Sequence, residues 1–419
     1  MIYLLIVCSL LAGNLFFWWW ADRRLRPLRK ANIWRALQAA LVGGQILVLA
    51  WWLMFPGTLR GLGNSFWKPV TQWLYMWNLL VLPISLIALL FGYSVLWLGR
   101  LFTRLVGPSR PASDTPIKSV TAESEAAEIA PVTGPAIVYP SRRQILTAAA
   151  TFAPQALLGG TLLLSASQHG KFRIRRMQLA IPQLPKALDG VTIAHVSDTH
   201  VGRFVGPREL DAIVTATAEL RPDLIAFTGD LIDFNLADLP PALSAMRQLA
   251  KVAPMALCVG NHDLFENASH FKSRVRRAEL NLLVDESMPI DIRGHRIDLL
   301  GLDWGTPASV RADGIQGHME NLLARRTTGG FPILLAHHPH AFDPARAAGI
   351  PLTLSGHTHG GQIMLTPNYG FGRIYRYWSG LYEKGNSKLV VSNGVGNWFP
   401  LRINAPAEII HLTLRSTTT

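Results

Sequence analysis

Cysteine is almost missing from this 419-residue chain: Cys8 lies in an apolar run and Cys258 near an expected strand end. That excludes a disulfide framework and leaves stability to packing. Acidic residues are scarce in the first 190 positions, which hold 6 of the 27 Asp and Glu but 19 of the 40 Lys and Arg. From residue 191 onward the two signs balance at 21 each, so the whole +13 excess lies upstream. A balanced C-terminal part excludes a polyanion binder by charge, and no nucleic-acid partner is expected. Histidine is absent before His169, and all thirteen follow.

What the first part has instead is length without charge. Four stretches, Ile2 to Trp20, about Ala36 to Phe55, about Trp73 to Leu98 and Ile145 to about Ala166, approach the roughly 20 apolar residues that a spanning helix needs. Several ends are rich in Trp, as at membrane interfaces. Residues 1–104 therefore read as a three-helix transmembrane region. The loops "ADRRLRPLRK" and "GRLFTRLVGPSR" are Arg-rich, whereas "GTLRGLGNSFWKPVTQ" carries only Arg60 and Lys68. The positive-inside rule puts the first two in the cytoplasm and the N-terminus outside.

Residues 105–141, rich in Pro, Ser, Ala and Glu and without apolar periodicity, read as a flexible cytoplasmic linker. Residues 142–168 open on Arg142 and Arg143 before a mild apolar stretch. They resemble a twin-arginine export signal, and equally an ordinary fourth anchor helix with a basic flank. Either sends residues 170–419 across the membrane. "KFRIRR", Lys171 to Arg176, points the other way, because four basic residues at that end favour the inside.

Beyond residue 190, short β-rich apolar runs alternate with amphipathic stretches, the pattern of an α/β domain. Strands are expected at "VTIAHVS", "DLIAFTG", "MALCVG", "IDLLGLD", "FPILLAH", "LTLSG", "KLVVSNG" and "EIIHLTL". Helices are expected at "PRELDAIVTATAEL", "PPALSAMRQLA", "SHFKSRVRRAEL" and "GIQGHMENLLARR". The strand ends carry the chemistry: Asp198 and His200 in "VSDTH", Asp230 and Asp233 in "TGDLID", Asn261, His262 and Asp263 in "VGNHD", His337, His338 and His340 in "LLAHHPH", His357 and His359 in "SGHTH". α/β sites gather at such ends. Mixed oxygen and imidazole donors suit Mn, Fe or Zn rather than Ca, and the donors are too many for one tetrahedral zinc. Enough ligands for two metals implies a bridging carboxylate.

The ordered motifs D-x-H, G-D-x-x-D, G-N-H-D, an isolated His after an apolar strand and G-H-T-H resemble the calcineurin-like metallophosphoesterase superfamily. "GHTHGGQ" and "SNGVGNWFPLRINAPAEI" resemble its membrane-anchored bacterial branch. The resemblance covers roughly residues 185 to 415 and implies a four-layer α/β/β/α sandwich behind the transmembrane helices. It implies two divalent metal ions, one held by Asp198, His200, Asp230 and His359, the other by Asp230, Asn261, His337 and His357, with Asp230 bridging. His337 is chosen over His338 for its place right after the strand. His262 would lie just outside the metals, its tautomer and orientation held by Asp233.

Two such ions, about 3.5–4 Å apart, could share a hydroxide, lower its pKa and clamp the oxygens of an in-line displacement at phosphorus. His262 would protonate the leaving oxygen. Arg402 or Arg203 could neutralise the phosphate, although each also reads as an ordinary packing arginine. His195, His270, His295, His318, His338, His340 and His411 read as structural, Asp263 as a local hydrogen-bond partner and Cys258 as a buried small residue. "NYGFGRIYRYWSGLYEKG", with Trp398, reads either as the border of a pocket for a lipid or nucleotide headgroup or as a packed β-rich lid.

The expected protein is thus a multi-pass phosphoesterase of a bacterial inner membrane with an extracytoplasmic catalytic domain. Its substrate would be a phosphate ester, a diester first, with lipid or envelope-derived esters as the narrower case. A second enzyme reading is a pyrophosphatase for a lipid-linked diphosphate or UDP-sugar lipid. A third is a non-catalytic membrane sensor or transport component. That one needs intramembrane ionisable residues, and the central parts of the first three spans carry none.

Overall fold

The computed structural model describes residues 2–28, 30–54, 68–106, 141–304, 312–326, 329–366 and 369–417. They group into two units. Residues 107–140 of the expected linker lie outside the described residues.

The first unit holds helices α1 (Ile2–Leu25), α2 (Ala31–Met54) and α4 (Leu82–Val106) and most of α5 (Arg142–Gln168). α3 (Lys68–Tyr75) runs through a π-helical turn, Met76–Val81, into α4. Among the described residues, four helical stretches are long and apolar enough to cross a membrane: Leu5–Leu25, Ala31–Trp51, Pro69–Arg104 and Arg142–Gln168. Inside this unit a polar chain runs among buried apolar side chains such as Phe17, Leu49 and Leu82. Asn14 Nδ2 donates to Asn78 Oδ1 at 2.9 Å, Trp77 Nε1 to Asn14 Oδ1 at 2.7 Å, and Asn78 Nδ2 to Gln45 Oε1 at 3.1 Å. Between helices in lipid such bonds act as glue, because the groups have no water to turn to. α5 starts with a capping box: the Gln144 N–H donates to Ser141 Oγ, and the Ser141 N–H to Gln144 Oε1.

The second unit contains the last turns of α5, and α3 groups with it. Its strands are β1 (Arg173–Ile181), β2 (Thr192–Val196), β3 (Leu224–Thr228), β4 (Met255–Cys258), β5 (Glu286–Ile292), β6 (His295–Gly301), β7 (Phe331–Leu335), β8 (Leu352–Ser355), β9 (Met364–Thr366), β10 (Tyr369–Gly370), β11 (Gly380–Lys384), β12 (Ser387–Val391) and β13 (Glu408–Ser416). Its remaining helices are α6 (Pro207–Glu219), α7 (Leu239–Ala250), α8 (Ala268–Arg277), α9 (Ala312–Arg325) and α10 (Phe342–Ala347).

One sheet has the order β1-β13-β2-β3-β4 and the other β11-β12-β8-β7-β6-β5, with β9 and β10 paired apart. The two sheets face each other across Ile193, Leu224, Ala226, Leu299, Ile333 and Leu354. Alternate residues point outward: Ala194, Ile225 and Phe227 pack with Leu210, Met246 and Phe271 of α6, α7 and α8, while Leu300 and Leu334 pack with Met319 and Ala345 of α9 and α10. Strands buried on both faces read as continuous apolar runs, which is why the central ones were legible. The four layers are therefore α/β/β/α.

"KFRIRR" is corrected by its surroundings. From Arg173 it is the edge strand β1, parallel to β13. Arg173 Nη2 meets Glu408 Oε2 at 2.7 Å and Arg175 Nη1 meets Glu408 Oε1 at 3.6 Å, with Glu408 fully buried. Arg173 and Arg175 thus serve the fold of the second unit.

Glu408→Ala leaves two arginines facing an uncompensated hollow. A loss of about 2–4 kcal/mol is expected, read as a fall of the thermal midpoint on the order of 10 °C for a unit of this size. A fall under about 2 °C in detergent-solubilised protein would overturn this reading of β1.

Candidate metal centre

The opening residues of five loops after β2, β3, β4, β7 and β8 converge, and hydrogen bonds lace them together. The Asp198 N–H donates to the Gly229 carbonyl at 3.0 Å, the His200 N–H to the Asp230 carbonyl at 3.1 Å, and the Gly356 N–H to the His337 carbonyl at 3.1 Å. Asp198, His200, Asp230, His357 and His359 all have φ between 47° and 72°. Non-glycine residues rarely take this left-handed conformation, and it gathers at functional sites where the surroundings enforce it. Gly356 answers why small residues flank the histidines: a Cβ there would stand 2.0 Å from Ser197 Oγ and 2.2 Å from Asp198 Oδ2.

Among the described residues, three donor groups result: His200 with Asp233 and His262 is one, and the other two share no residue with each other. Asp198, His200 and His359 form one, with His359 Nε2 3.3 Å from Asp198 Oδ1 and 3.0 Å from His200 Nε2. Asp230, His337 and His357 form the other, with His337 Nε2 3.0 Å from Asp230 Oδ2. Asp230 Oδ2 also stands 3.6 Å from His200 Nε2, so this carboxylate lies between both. Asn261 Oδ1 approaches His357 Nδ1 at 3.1 Å.

The electrostatics suit divalent cations. His337 Nδ1 lies 2.6 Å from the Thr228 carbonyl, which fixes the proton there and leaves Nε2 to face Asp230. That Nε2 is buried and makes no hydrogen bond among the described residues. Burial works against charge on His337, yet the Asp230 and Asp198 carboxylates raise its pKa to about 9. Burial would also raise the Asp230 carboxyl, but His337, His262 and His200 hold it well below the usual range. Burial keeps His357 and His359 far below the ordinary histidine value, and neutral imidazoles are what a metal takes.

His262 lies beside the clusters, its ring 4.5 Å from that of His200. Its Nδ1 contacts the Asp233 backbone carbonyl at 2.5 Å, and the Asp233 carboxylate stands 3.6 Å away. Asp233 thus orients His262 chiefly through its main chain. His262 loses basicity to burial, but Asp230 and Asp233 raise it to about 9.

The two arginines part company. Arg402 is buried and donates to the Asn393 carbonyl at 2.7 Å, the Gly396 carbonyl at 2.6 Å and Asn397 Oδ1 at 2.6 Å, with Nη2 2.9 Å from His359 Nδ1. Carbonyls, Asn397 and His359 surround it, so its guanidinium is spent on the fold and braces the His359 ring. Arg203 lies over the rings of Tyr75 and Phe234 and 3.7 Å from Asp233 Oδ2.

The residues expected to be structural have clear work. His195 Nε2 pairs with Thr228 Oγ1 at 2.8 Å, and burial lowers its pKa to about 4. His338 Nδ1 accepts from the His340 N–H at 3.1 Å, and burial lowers it to about 3. Asp263 does more than serve a local turn: its carboxylate accepts from the N–H groups of Asp230, Leu231, Ile232 and Gly260 at 2.8–3.1 Å. Aromatic rings also line the site beyond the expected ones. Trp304 lies 4.8 Å from His357, and Phe265 and Phe234 lie 4.7 and 5.9 Å from His262, joining Tyr375 at 5.5 Å from His357. The sequence signal was position, since Phe234 directly follows Asp233 and Phe265 lies two residues past Asp263.

The calcineurin-like phosphoesterase family model matches residues 191–361. An uncharacterised metallophosphoesterase of Campylobacter jejuni is 32% identical over 58% of this chain and 63% of its own length, so the chain spans less than two thirds of that relative. One of Bacillus subtilis is 33% identical over 56% of this chain and 82% of its own. A transmembrane protein with metallophosphoesterase domain from Danio rerio is 28% identical over 99% of this chain and 89% of its own, apolar helices included. Those helices and that full-length likeness associate the chain with a membrane, and the anchored arrangement is not confined to bacterial relatives. With one residue in three shared across most of the Bacillus protein, and the family region laid over the strand ends that gather these donors, the chain belongs to the calcineurin-like phosphoesterases, a family of metal-dependent phosphoric ester hydrolases.

Proposed function

We propose that this chain is a membrane-bound, two-metal phosphoesterase that hydrolyses phosphate diesters on the extracytoplasmic face of a bacterial inner membrane. The observation that carries the reading is the place of Asp230, within 3.6 Å of His200 and 3.0 Å of His337, one from each donor cluster. Asp198, His200, Asp230 and His359 would hold one cation, and Asp230, Asn261, His337 and His357 the other. Mn, Fe or Zn ions there supply Lewis acidity toward phosphoryl oxygens and lower the pKa of water. His262, kept protonated by Asp230 and Asp233, donates its proton to the leaving oxygen. Trp304, Tyr375, Phe234 and Phe265 give apolar walls to the second substituent that a diester carries and a monoester lacks.

The placement rests on the helix ends. α3 and the last turns of α5 group with the catalytic unit, where Tyr75 packs edge-on against Phe204 at 5.6 Å and Gln168 Nε2 donates to the Arg402 carbonyl at 2.7 Å. The Arg-rich ends, Arg23 to Arg35, Arg100 with Arg104, and Arg142 with Arg143, lie at the opposite ends of their helices. Positive charge marks the cytoplasmic side, so the catalytic unit falls outside. A second reading, a lipid-linked diphosphate as substrate, is favoured by the same aromatic walls on a membrane-tethered site.

Full-length protein loaded with Mn²⁺ should hydrolyse a chromogenic phosphate diester, and a chelator should abolish the reaction. His262→Ala should lower kcat by about 10²–10⁴ with both metals retained. Unchanged kcat in this variant would reject His262 as the acid. Since a general acid works only while protonated, kcat/KM should fall as pH rises through the His262 pKa. Bound cations oppose the carboxylates, so this basic limb lies below the value of about 9 that the carboxylates alone set. It should vanish in His262→Gln.

Gly260 touches the bridging group, and a Cβ there would stand 2.1 Å from Asp230 Oδ1. Gly260→Ala should therefore push Asp230 aside and cut bound metal to one equivalent or less by elemental analysis. Two retained equivalents would remove Asp230 from the bridge.

Topology is read by maleimide labelling of intact cells in a Cys8→Ser background. His295→Cys should react from outside, and Ser141→Cys only after permeabilisation. The reverse pattern would place the catalytic unit in the cytoplasm.

A further inference from the structure

The aromatic segment after the last histidine motif divides in two. Tyr377 is buried with Phe342, Leu389 and Val391, and Tyr382 packs against it. The part before it does the opposite: Leu365, Tyr369, Phe371 and Ile374 are 72%, 59%, 64% and 75% exposed. Four large apolar side chains within ten residues form an uncovered patch, and such patches mark interaction surfaces. Arg373 lies over the Tyr369 ring at 5.8 Å, adding positive charge to the same patch.

What covers this patch follows from its attachment. Gln168, the last residue of α5, brackets Arg402 from both sides: its Nε2 donates to the Arg402 carbonyl at 2.7 Å, and its Oε1 accepts the Arg402 N–H at 3.0 Å. Two residues on, Asn404 Nδ2 donates to the carbonyls of Met364 and Leu365 at 2.9 and 3.2 Å. Leu365, at the start of the patch, is thus joined by hydrogen bonds to the end of α5 through a stretch of chain no longer than about 7 Å, and α5 is long and apolar enough to span a membrane. Beside the same helix end a hollow of about 380 Å³ is lined by Lys171, with Arg173 and His169 nearby already facing Glu408 and Glu209. Aromatic and aliphatic side chains with interspersed basic groups are the composition of a surface that settles into the headgroup boundary of an anionic bilayer.

We propose that Leu365, Tyr369, Phe371 and Ile374 dock on the surface of the lipid bilayer that α5 crosses and hold the metal centre against it. The same segment reaches that centre a residue later, where the Tyr375 hydroxyl lies 3.5 Å from His357 Nε2. A phosphoester displayed by a lipid therefore meets the site without leaving the membrane surface. The docking itself needs only that α5 spans, whereas the lipid-borne substrate rests on the phosphoesterase reading above.

The test uses the full chain in nanodiscs of phosphatidylcholine with phosphatidylglycerol, in a Cys8→Ser background. Nitroxide labels are placed by Leu365→Cys, Phe371→Cys and, at the far end of the second sheet, His295→Cys. Collision with oxygen against a water-soluble nickel chelate should place labels 365 and 371 about 5–10 Å into the headgroup and acyl boundary, and label 295 in water. Labels 365 and 371 as wet as label 295 would overturn the proposal. Protection of 365 and 371 that appears only with two copies per disc would also overturn it, in favour of a second chain on this face. Neither readout depends on catalysis, so loss of the hydrolase reading would leave this result intact and the reverse.

Discussion

The Asp263 carboxylate sits fully buried among four main-chain N–H groups, from Gly260 and from the consecutive Asp230, Leu231 and Ile232. Through them it ties the loop after β4 to the loop after β3. Asp230 takes its left-handed conformation in that grip, and the His262 N–H reaches back to Asp230 Oδ1 at 2.8 Å. Burial is the main reason that its own acidity weakens, to a pKa of about 7, with the nearby Asp230 charge adding to the effect. An anion with so many donors is a strong clamp, while a protonated one is a weaker clamp. The loop that carries Asp230 is held against the loop that carries Asn261 and His262 through this one side chain.

How far the sequence reaches depends on whether a segment is buried on one side or two. β2, β3, β4, β7, β8 and β12 are short runs sealed on both faces, and their apolar continuity announces them. β1, β5 and β11 are sheet edges. β1 alternates arginine with apolar residues and resembles a topology signal, β5 carries Pro289, and β11 reads "GLYEK". Edge strands with charge and proline are how sheets avoid further pairing, and the same devices hide them from a reading by hydrophobicity.

The site followed the same logic. Residues placed right after a sealed strand, such as Asp198, Asp230, His337 and His357, were legible because strand ends deliver chemistry. Asp263 was underrated because its work is done on main-chain N–H groups of a distant loop. Arg402 needed the fold to show that carbonyls, not a phosphate, surround it. Trp304 lay outside every motif, and only the packing of the second sheet brings it to His357.

Strand order carries a consequence for assembly. β13 is the last described strand, yet it lies between β1 and β2, parallel to one and antiparallel to the other. The first-made edge strand has no partner until the final residues arrive, and Arg402, which braces His359, arrives only just before them. Contacts of such long sequence separation form late. A nascent chain halted between residues 360 and 407 would hold every donor of both clusters and still lack the strand that joins its sheet, so a ribosome-stalled fragment of that length would not hold the finished site.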